Sequence, residues 1–241
     1  MYQTRYDVGS DWGAIGDRFM GKTHTLQEIY ARKIKEEKNS FAFYVDTMGD
    51  TLRYSYFNSF RRVSSVREIT QYAEKGERRF ILDLFSGGSF RNYMSQDHSY
   101  SSILADMILL FEHVKSQYPK MQFYAFFNEA NLFFPNLPYT GELYRPQSYI
   151  LKQGKHFNLV LFWCSPDTQG VSKLLIKETG QLLCFHISES NSLLYIEKQM
   201  AGMDRTSEGE IIKLNNIKIE VIKNLEPHHF IYLKGGQIYV K

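Results

Sequence analysis

The chain has 241 residues, 43% of them hydrophobic and 15% aromatic, with a formal net charge of +3. That length and composition allow one sizeable α/β domain or two small ones and exclude a disordered or low-complexity chain. The charge is too mild to mark a nucleic-acid-binding protein by itself, though it permits a local basic lining, and the absence of any apolar run near the roughly 18 residues of a membrane span argues for a soluble chain.

The start, MYQTRYDVGSDW, has no apolar signal region. Trp12–Ile15 reads as a short strand, and Lys22–Lys35 as a helix with Leu26, Ile29, Tyr30 and Ile34 on one face. Phe41–Val45 is a compact apolar run ending in Asp46; Val66–Glu74 is a short helix; Arg79–Leu84 is a strand with Asp83 near its end. After a polar, glycine-bearing loop, Ser86–Ser99, a long amphipathic helix carries Ile103, Leu104, Met107, Ile108, Phe111 and Val114 at helical spacing. Gln122–Phe127 is a strand that stops at Asn128-Glu129, and Asn131–Pro146, with three of the six prolines, is a loop. A helix over Gln147–Gln153, a strand over Leu159–Trp163, a turn at Ser165-Pro166-Asp167, a helix over Gly170–Lys177, a strand over Leu182–Ile187 and a helix over Ser190–Met200 follow. The tail HHFIYLKGGQIYVK alternates around Gly235-Gly236 as a β-hairpin. Alternating strands and helices imply crossover units in a mostly parallel sheet, and with no linker or repeat the expectation is one domain over residues 1–241. Cys164 and Cys184 lie in apolar runs and are expected as buried thiols of a reducing compartment.

One stretch carries chemistry. GDRFMGKT, Gly16–Thr23, fits glycine, four residues, Gly-Lys-Thr without a mismatch, with strand before it and helix after it. Gly16 and Gly21 let the backbone turn tightly and aim its N–H groups inward, and the helix N-terminus adds partial positive charge. Lys22 would sit on the β- and γ-phosphates of a nucleotide, and the Thr23 hydroxyl on Mg²⁺; Asp17, Arg18, Phe19, Met20 and His24 complete the nucleotide-binding set. The competing reading is a glycine-bearing strand–helix turn that binds nothing. In open α/β sheets ligands sit at the carboxyl ends of the strands, where Asp46, Asp83, Asn128, Glu129, Cys164 and Ser165 fall. Of these, Glu129, after an apolar strand, is the candidate to orient or deprotonate the attacking water. His228-His229 is read as an exposed pair, His186 as a packed strand residue, and no structural zinc is expected.

These modules, in this order, resemble the HerA–FtsK branch of P-loop ATPases, especially the single-domain genome-packaging ATPases of membrane-containing icosahedral viruses. WGAIGDRFMGKTHTL is similar to that family's first strand and phosphate loop, FAFYVDTMGD to its second strand with a Gly-Asp turn, and FYAFFNEANLFFP to its Walker B strand. ILKQGKHFNLVLFWCSPDTQGVSKLLIKETGQLLCFHIS is similar to the module that carries a basic residue near a helix end and a polar sensor turn. The resemblance implies a RecA/FtsK-like P-loop fold with a C-terminal β-hairpin, ATP and Mg²⁺ as cofactors, and a ring, expected as a hexamer, that moves double-stranded DNA. It also implies capsid or membrane-vertex proteins as partners, and a place in the host cytoplasm or the virion. Lys155 first and Arg145 second are the candidates for a basic residue acting in a neighbour's site. Ser165 and Gln169 take the sensor position, Asn128 the metal-shell position through water, and Arg91, in Gly87–Gln96, contacts DNA in the pore; the loop after Glu129 is a second pore segment. Three departures stand out: Asn128 where the family usually has Asp, Cys164-Ser165 where a Gln is usual, and Lys155 where Arg is frequent. The rival functions are an assembly or secretion protein similar to the zonula-occludens-toxin-like phage proteins, a degenerate ATP-binding structural ring, and a small-molecule kinase; Ser165–Thr179 contains no Arg, which counts against a kinase lid.

Overall fold

The computed structural model of the chain describes residues 10–85, 100–137, 144–201, 219–234 and 237–240. Its strands are β1 Trp12–Ile15, β2 Ser40–Asp46, β3 Arg61–Val63, β4 Arg79–Asp83, β5 Gln122–Phe127, β6 Leu159–Ser165, β7 Gln181–Cys184, β8 Ile231–Lys234 and β9 Gln237–Val240. Its helices are α1 Lys22–Glu36, α2 Val66–Glu74, α3 Tyr100–Gln117, α4 Ala130–Phe133, α5 Tyr144–Gln153, α6 Lys173–Glu178 and α7 Ser190–Ala201. The strands form one sheet in the order β3-β4-β2-β5-β6-β1-β7-β8-β9. β1 to β7 pair in parallel, and β8 and β9 close the sheet antiparallel, as the hairpin reading of the tail requires. The result is the mostly parallel P-loop NTPase sheet flanked by helices that the sequence led us to expect.

The period-2 alternation of each strand sorts the core into two layers. Phe41, Phe43 and Val45 of β2, Phe123, Ala125 and Phe127 of β5, and Leu161 and Trp163 of β6 pack on one face against α2, α3, α5, α6 and α7. Ala42 and Tyr44, Tyr124 and Phe126, and Val160, Phe162 and Cys164 pack on the other against Leu26, Tyr30 and Ile34 of α1. Most of the described aromatic residues are therefore core material: Tyr44 stacks on Phe126 with centroids 4.5 Å apart, and the Tyr30 hydroxyl donates to the Phe43 carbonyl at 2.9 Å. Both cysteines are buried free thiols.

Several elements differ from expectation. β3 is a three-residue edge strand, RRV, whose first two residues are exposed arginines, so it carries no apolar run to find. α5 begins at Tyr144, because Pro146 falls in the first turn, where its missing N–H costs nothing. Part of the expected loop after β5 is instead the helical turn α4.

Asp11, at the amino edge beside the start of β6, accepts the Leu161 N–H at 2.8 Å. Burial pushes its carboxyl up to about 7, against the pull of that hydrogen bond and of Lys155. A folded value above the unfolded one means that ionisation of Asp11 opposes folding as pH rises from about 4 through 7. Asp11→Asn keeps an acceptor oxygen and removes the charge. It should be near neutral in stability at pH 4 and stabilising on the order of 3 kcal/mol at pH 8, read by urea denaturation at the two pH values.

Candidate functional site

The loop Gly16–Thr23 leaves the carboxyl end of β1 and enters α1 directly. Its turn depends on two glycines: Gly16 has φ 151°, and a Cβ there would lie 2.7 Å from that of Phe185; Gly21 has φ 91°, and a Cβ there would overlap the His228 ring. Phe19, with φ 64° and 93% exposed, holds the left-handed region without being glycine, a strain of about 1–3 kcal/mol. Gly21 caps α1 with no side-chain hydrogen bond, so the first-turn N–H groups and the positive end of the helix dipole face the loop.

Two segments distant in sequence pin the loop. The Asp17 N–H donates to the His186 carbonyl at 2.7 Å, and the Asp17 carboxylate accepts from Ser188 N–H at 3.0 Å and meets His186 Nδ1 at 3.1 Å. On the other side, His228 N–H donates to the Met20 carbonyl at 2.9 Å. His186 is thus a clamp on the loop just past β7, which corrects its reading as a packed strand residue. His228 and His229 are exposed, as read, but His228 also buttresses Gly21. His24 stacks on Tyr54 and pairs with Glu28 at 3.4 Å.

Lys22 is buried, and its ammonium donates to the Asp17 carbonyl at 2.6 Å. Burial lowers its pKa; the negative charges of Glu129 and Asp17 oppose that shift, and Arg18 adds to it. Glu129 follows β5 and Asn128. Burial raises its pKa, Lys22 and Arg18 pull it down, and Asp50 and Asp167 push it up. Thr23 lies in the first turn of α1, and burial pushes the Cys164 thiol of β6 up to about 12. Lys22, Thr23, Arg18, Asn128 and Glu129, far apart in sequence, therefore share one edge of the sheet, where the carboxylate and the ammonium each favour the other's charged form.

The neighbouring loops complete this edge. Ser165 is buried, its hydroxyl donating to the Asp167 carbonyl at 2.8 Å, while Gln169 lies exposed in the same loop. That loop is zipped to the one after Glu129 by Ser172 N–H to the Phe134 carbonyl at 2.7 Å and a bridge between Pro135 and Val171. Among the described residues, the buried side-chain atoms without a hydrogen-bond partner are Thr47 Oγ1, Asn131 Oδ1 and Thr168 Oγ1, in two loops and the short helix α4 at this edge. Such atoms are costly in a closed core and ordinary where a polar ligand or water completes them.

Not every candidate joins. Arg145 is exposed at the start of α5, on the carboxyl side of β5 and beside a shallow groove lined by Tyr144, Tyr149 and Lys152. Lys155 precedes β6, at the opposite, amino edge, where it pairs with Glu178 at 3.8 Å; it does not reach its own loop. Arg91 and Gly87–Gln96 lie outside the described residues, as do residues 138–143 of the second pore segment and the Gly235-Gly236 turn. Asp50, His186 and His228 are site residues to which the sequence reading gave no site role; their partners are 78 residues away for Asp50 and 169 for His186, and no local pattern announces them.

Among the described residues no group of three or more His, Cys, Asp or Glu side chains is placed to hold a metal ion, and no helix is long and apolar enough to cross a membrane. No family model matches the chain, and no curated protein matches it by sequence. Solved structures do. The genome packaging NTPase B204 of Sulfolobus turreted icosahedral virus 2, in complex with AMP, is similar with a TM-score of 0.67 at 13% identity, over 98% of both chains. B204 of Sulfolobus turreted icosahedral virus, described as its DNA-packaging ATPase, is similar with a TM-score of 0.63 at 12% identity, again over 98% of both chains. VirB4 of Thermoanaerobacter pseudethanolicus is similar with a TM-score of 0.61 at 9% identity, over 98% of this chain and 91% of that one. At these identities the likeness shows the fold: this chain has the fold of packaging and VirB4-type ATPases along almost its whole length.

Proposed function

We propose that the chain is an ATPase that drives double-stranded DNA through a ring, a genome-packaging ATPase of the viral kind, acting as one domain. The observation that carries this is a Gly16–Thr23 loop whose strand, left-handed glycine turn and helix have the phosphate-binding form, with Lys22 buried in it and Glu129 leaving β5 at the same edge of the sheet. The full-length likeness to B204, solved with nucleotide, supports it.

The site would work as follows. Backbone N–H groups of Asp17–Thr23 and the start of α1 cradle the phosphates, and Lys22 leaves the Asp17 carbonyl for the terminal phosphates. Mg²⁺, when bound, neutralises phosphate charge; Thr23 and the neighbouring carboxylates have the oxygen chemistry to hold it. Glu129 accepts a proton from the attacking water, and its raised pKa makes it a stronger base than an exposed glutamate. Ser165 and Gln169 belong to the turn that follows the state of the terminal phosphate. Lys155 or Arg145 reaches the site of a neighbouring subunit in a ring, taken as a hexamer; the amino-edge position of Lys155 suits an action in trans. Arg91 lines the pore, where phosphate contacts are sequence-independent. The ring works in the host cytoplasm or at the virion vertex, with capsid or vertex proteins as partners.

The test is ATP hydrolysis with and without double-stranded DNA. Slow basal turnover stimulated by DNA supports the reading. Phosphate transfer to a small acceptor with no DNA effect would establish a kinase instead, and tight ATP binding without turnover a structural ring or assembly protein.

A further inference from the structure

The strand that ends at Asn128 brings an amide to a position where a phosphate-loop site ordinarily has a carboxylate. That amide is only 3% exposed, and its Nδ2 donates to Asp50 Oδ2 at 2.7 Å. Asp50 arrives from β2 on a built turn. Asp46, wholly buried at the end of β2, spends both its oxygens there: Oδ1 takes the N–H groups of Met48, Gly49 and Asp50 at 3.2, 2.7 and 3.1 Å, and Oδ2 takes the N–H and the hydroxyl of Thr51. Gly49 turns the chain at φ 73°, against the Phe85 ring, and Arg62 clamps the turn by donating to Thr51 and Asp83 at 2.8 and 3.1 Å. Asp46 is thus the scaffold of the turn, and Asp50 is the carboxylate the turn presents.

We propose that Asp50 supplies the acidic group that the end of β5 lacks, its carboxylate held by Asn128 so that it serves the water shell of the magnesium ion accompanying the nucleotide. This rests on the nucleotide-binding reading above. Val45 pairs with Phe127, Phe127 with Trp163 and Ser165 with Ile15, so the turn after β2, the end of β5 and the loop after β1 leave the same edge of the sheet, and the charge of Asp50 raises the Glu129 pKa there. Asp50 therefore lies at the edge from which the loop with Thr23 springs, and the Thr23 hydroxyl is suited to bind the ion directly. An aspartate at 128 in the same geometry would set two carboxylates at hydrogen-bond distance, with like-charge repulsion. Asparagine removes that conflict and turns the contact into a hydrogen bond. The exchange leaves one negative group next to the ion, moved from the sheet strand to the facing turn, and a departure that looks like a lost function becomes a relocated one.

The test uses the full chain and a fluorescent ATP analogue, titrated with 5 mM Mg²⁺ (about that level, enough to saturate a typical Mg·nucleotide) and with EDTA. The native chain should bind more tightly with Mg²⁺. Asp50→Asn should lose about 10- to 100-fold of that gain, the range for removing a group that orients a metal's ligands. Its affinity in EDTA and its melting temperature should stay native. Asp50→Ser, whose hydroxyl still accepts from the Asn128 amide, is the second uncharged variant and should behave alike. The exchange D50N/N128D, which keeps the hydrogen bond with its direction reversed, should recover the gain. Native Mg²⁺ dependence in both uncharged variants would make Asp50 a structural partner of Asn128 and overturn the proposal, as would a native chain with no Mg²⁺ gain. Absence of any binding by the native chain would instead overturn the nucleotide-binding reading.

Discussion

Glu129→Gln should hold ATP with native affinity and hydrolyse it roughly 10²- to 10⁴-fold more slowly, whereas Lys22→Ala should lose the nucleotide itself. The two side chains touch the same reaction at different stages. Glutamine keeps the shape of Glu129 and loses only its basicity, so the defect falls on turnover; deleting the buried Lys22 ammonium removes a charge partner of the phosphates, a loss of about 2–5 kcal/mol in binding, or some 30- to several thousand-fold in affinity. The pH dependence provides a second reading. Glu129 must be ionised, and burial raises its pKa above the ordinary 4.5, so the acid limb of the rate profile is displaced upward. Lys22 must be protonated, and burial lowers its pKa below the ordinary 10.5, so the alkaline limb is displaced downward. Both displacements narrow the bell from its two sides. Equilibrium binding of labelled ATP, together with phosphate release from pH 5 to 10, checks all of this. A Glu129→Gln protein with native turnover would remove Glu129 from the mechanism, and a Lys22→Ala protein with native affinity would remove the loop.

Much of this arrangement was legible in the sequence, and the parts that were not share a cause. Trp12–Ile15, Val66–Glu74 and Gln122–Phe127 have the bounds that periodicity predicts, because each is an uninterrupted run whose burial is set by its own residues. The loop was legible because its chemistry is local: the glycines, the lysine and the threonine are held within one turn. Helix α6 starts only at Lys173, because Ser172 caps it by accepting from Leu174 N–H at 3.2 Å. Strand β7 stops at Cys184, short of the expected Ile187, because the next residues leave the sheet to grip Asp17. In that second case a tertiary contact overrides a local pattern, and one sequence without its fold does not contain the contact. Asp50 is the same lesson at the site. Sequence reading registered a missing charge at Asn128, and the fold shows a carboxylate within hydrogen-bond distance of it, brought from the end of another strand.

That carboxylate is only as well placed as the turn that carries it, which makes Asp46→Ala the most damaging single change we expect outside the loop. Its two buried oxygens satisfy four backbone N–H groups and one hydroxyl. Truncation leaves these donors without an acceptor beside a core that has no room for bulk water. An unsatisfied buried donor costs about 1–3 kcal/mol, and because the turn will partly relax, the costs will not add in full. A loss of roughly 4 kcal/mol is the expected total, among the largest for a point change. Asp46→Asn should fall between, since one oxygen remains and the other becomes a donor facing donors. Urea unfolding with an unchanged m-value measures the loss, and the Mg²⁺ dependence of nucleotide binding measures its consequence: the Asp50 N–H is among the donors released, so the turn cannot relax without moving Asp50 away from Asn128. If Asp46→Ala unfolds easily yet binds Mg·ATP analogue as the native chain does, the turn and the site are independent. If stability and Mg²⁺ dependence fall together, the turn after β2 is part of the site's construction.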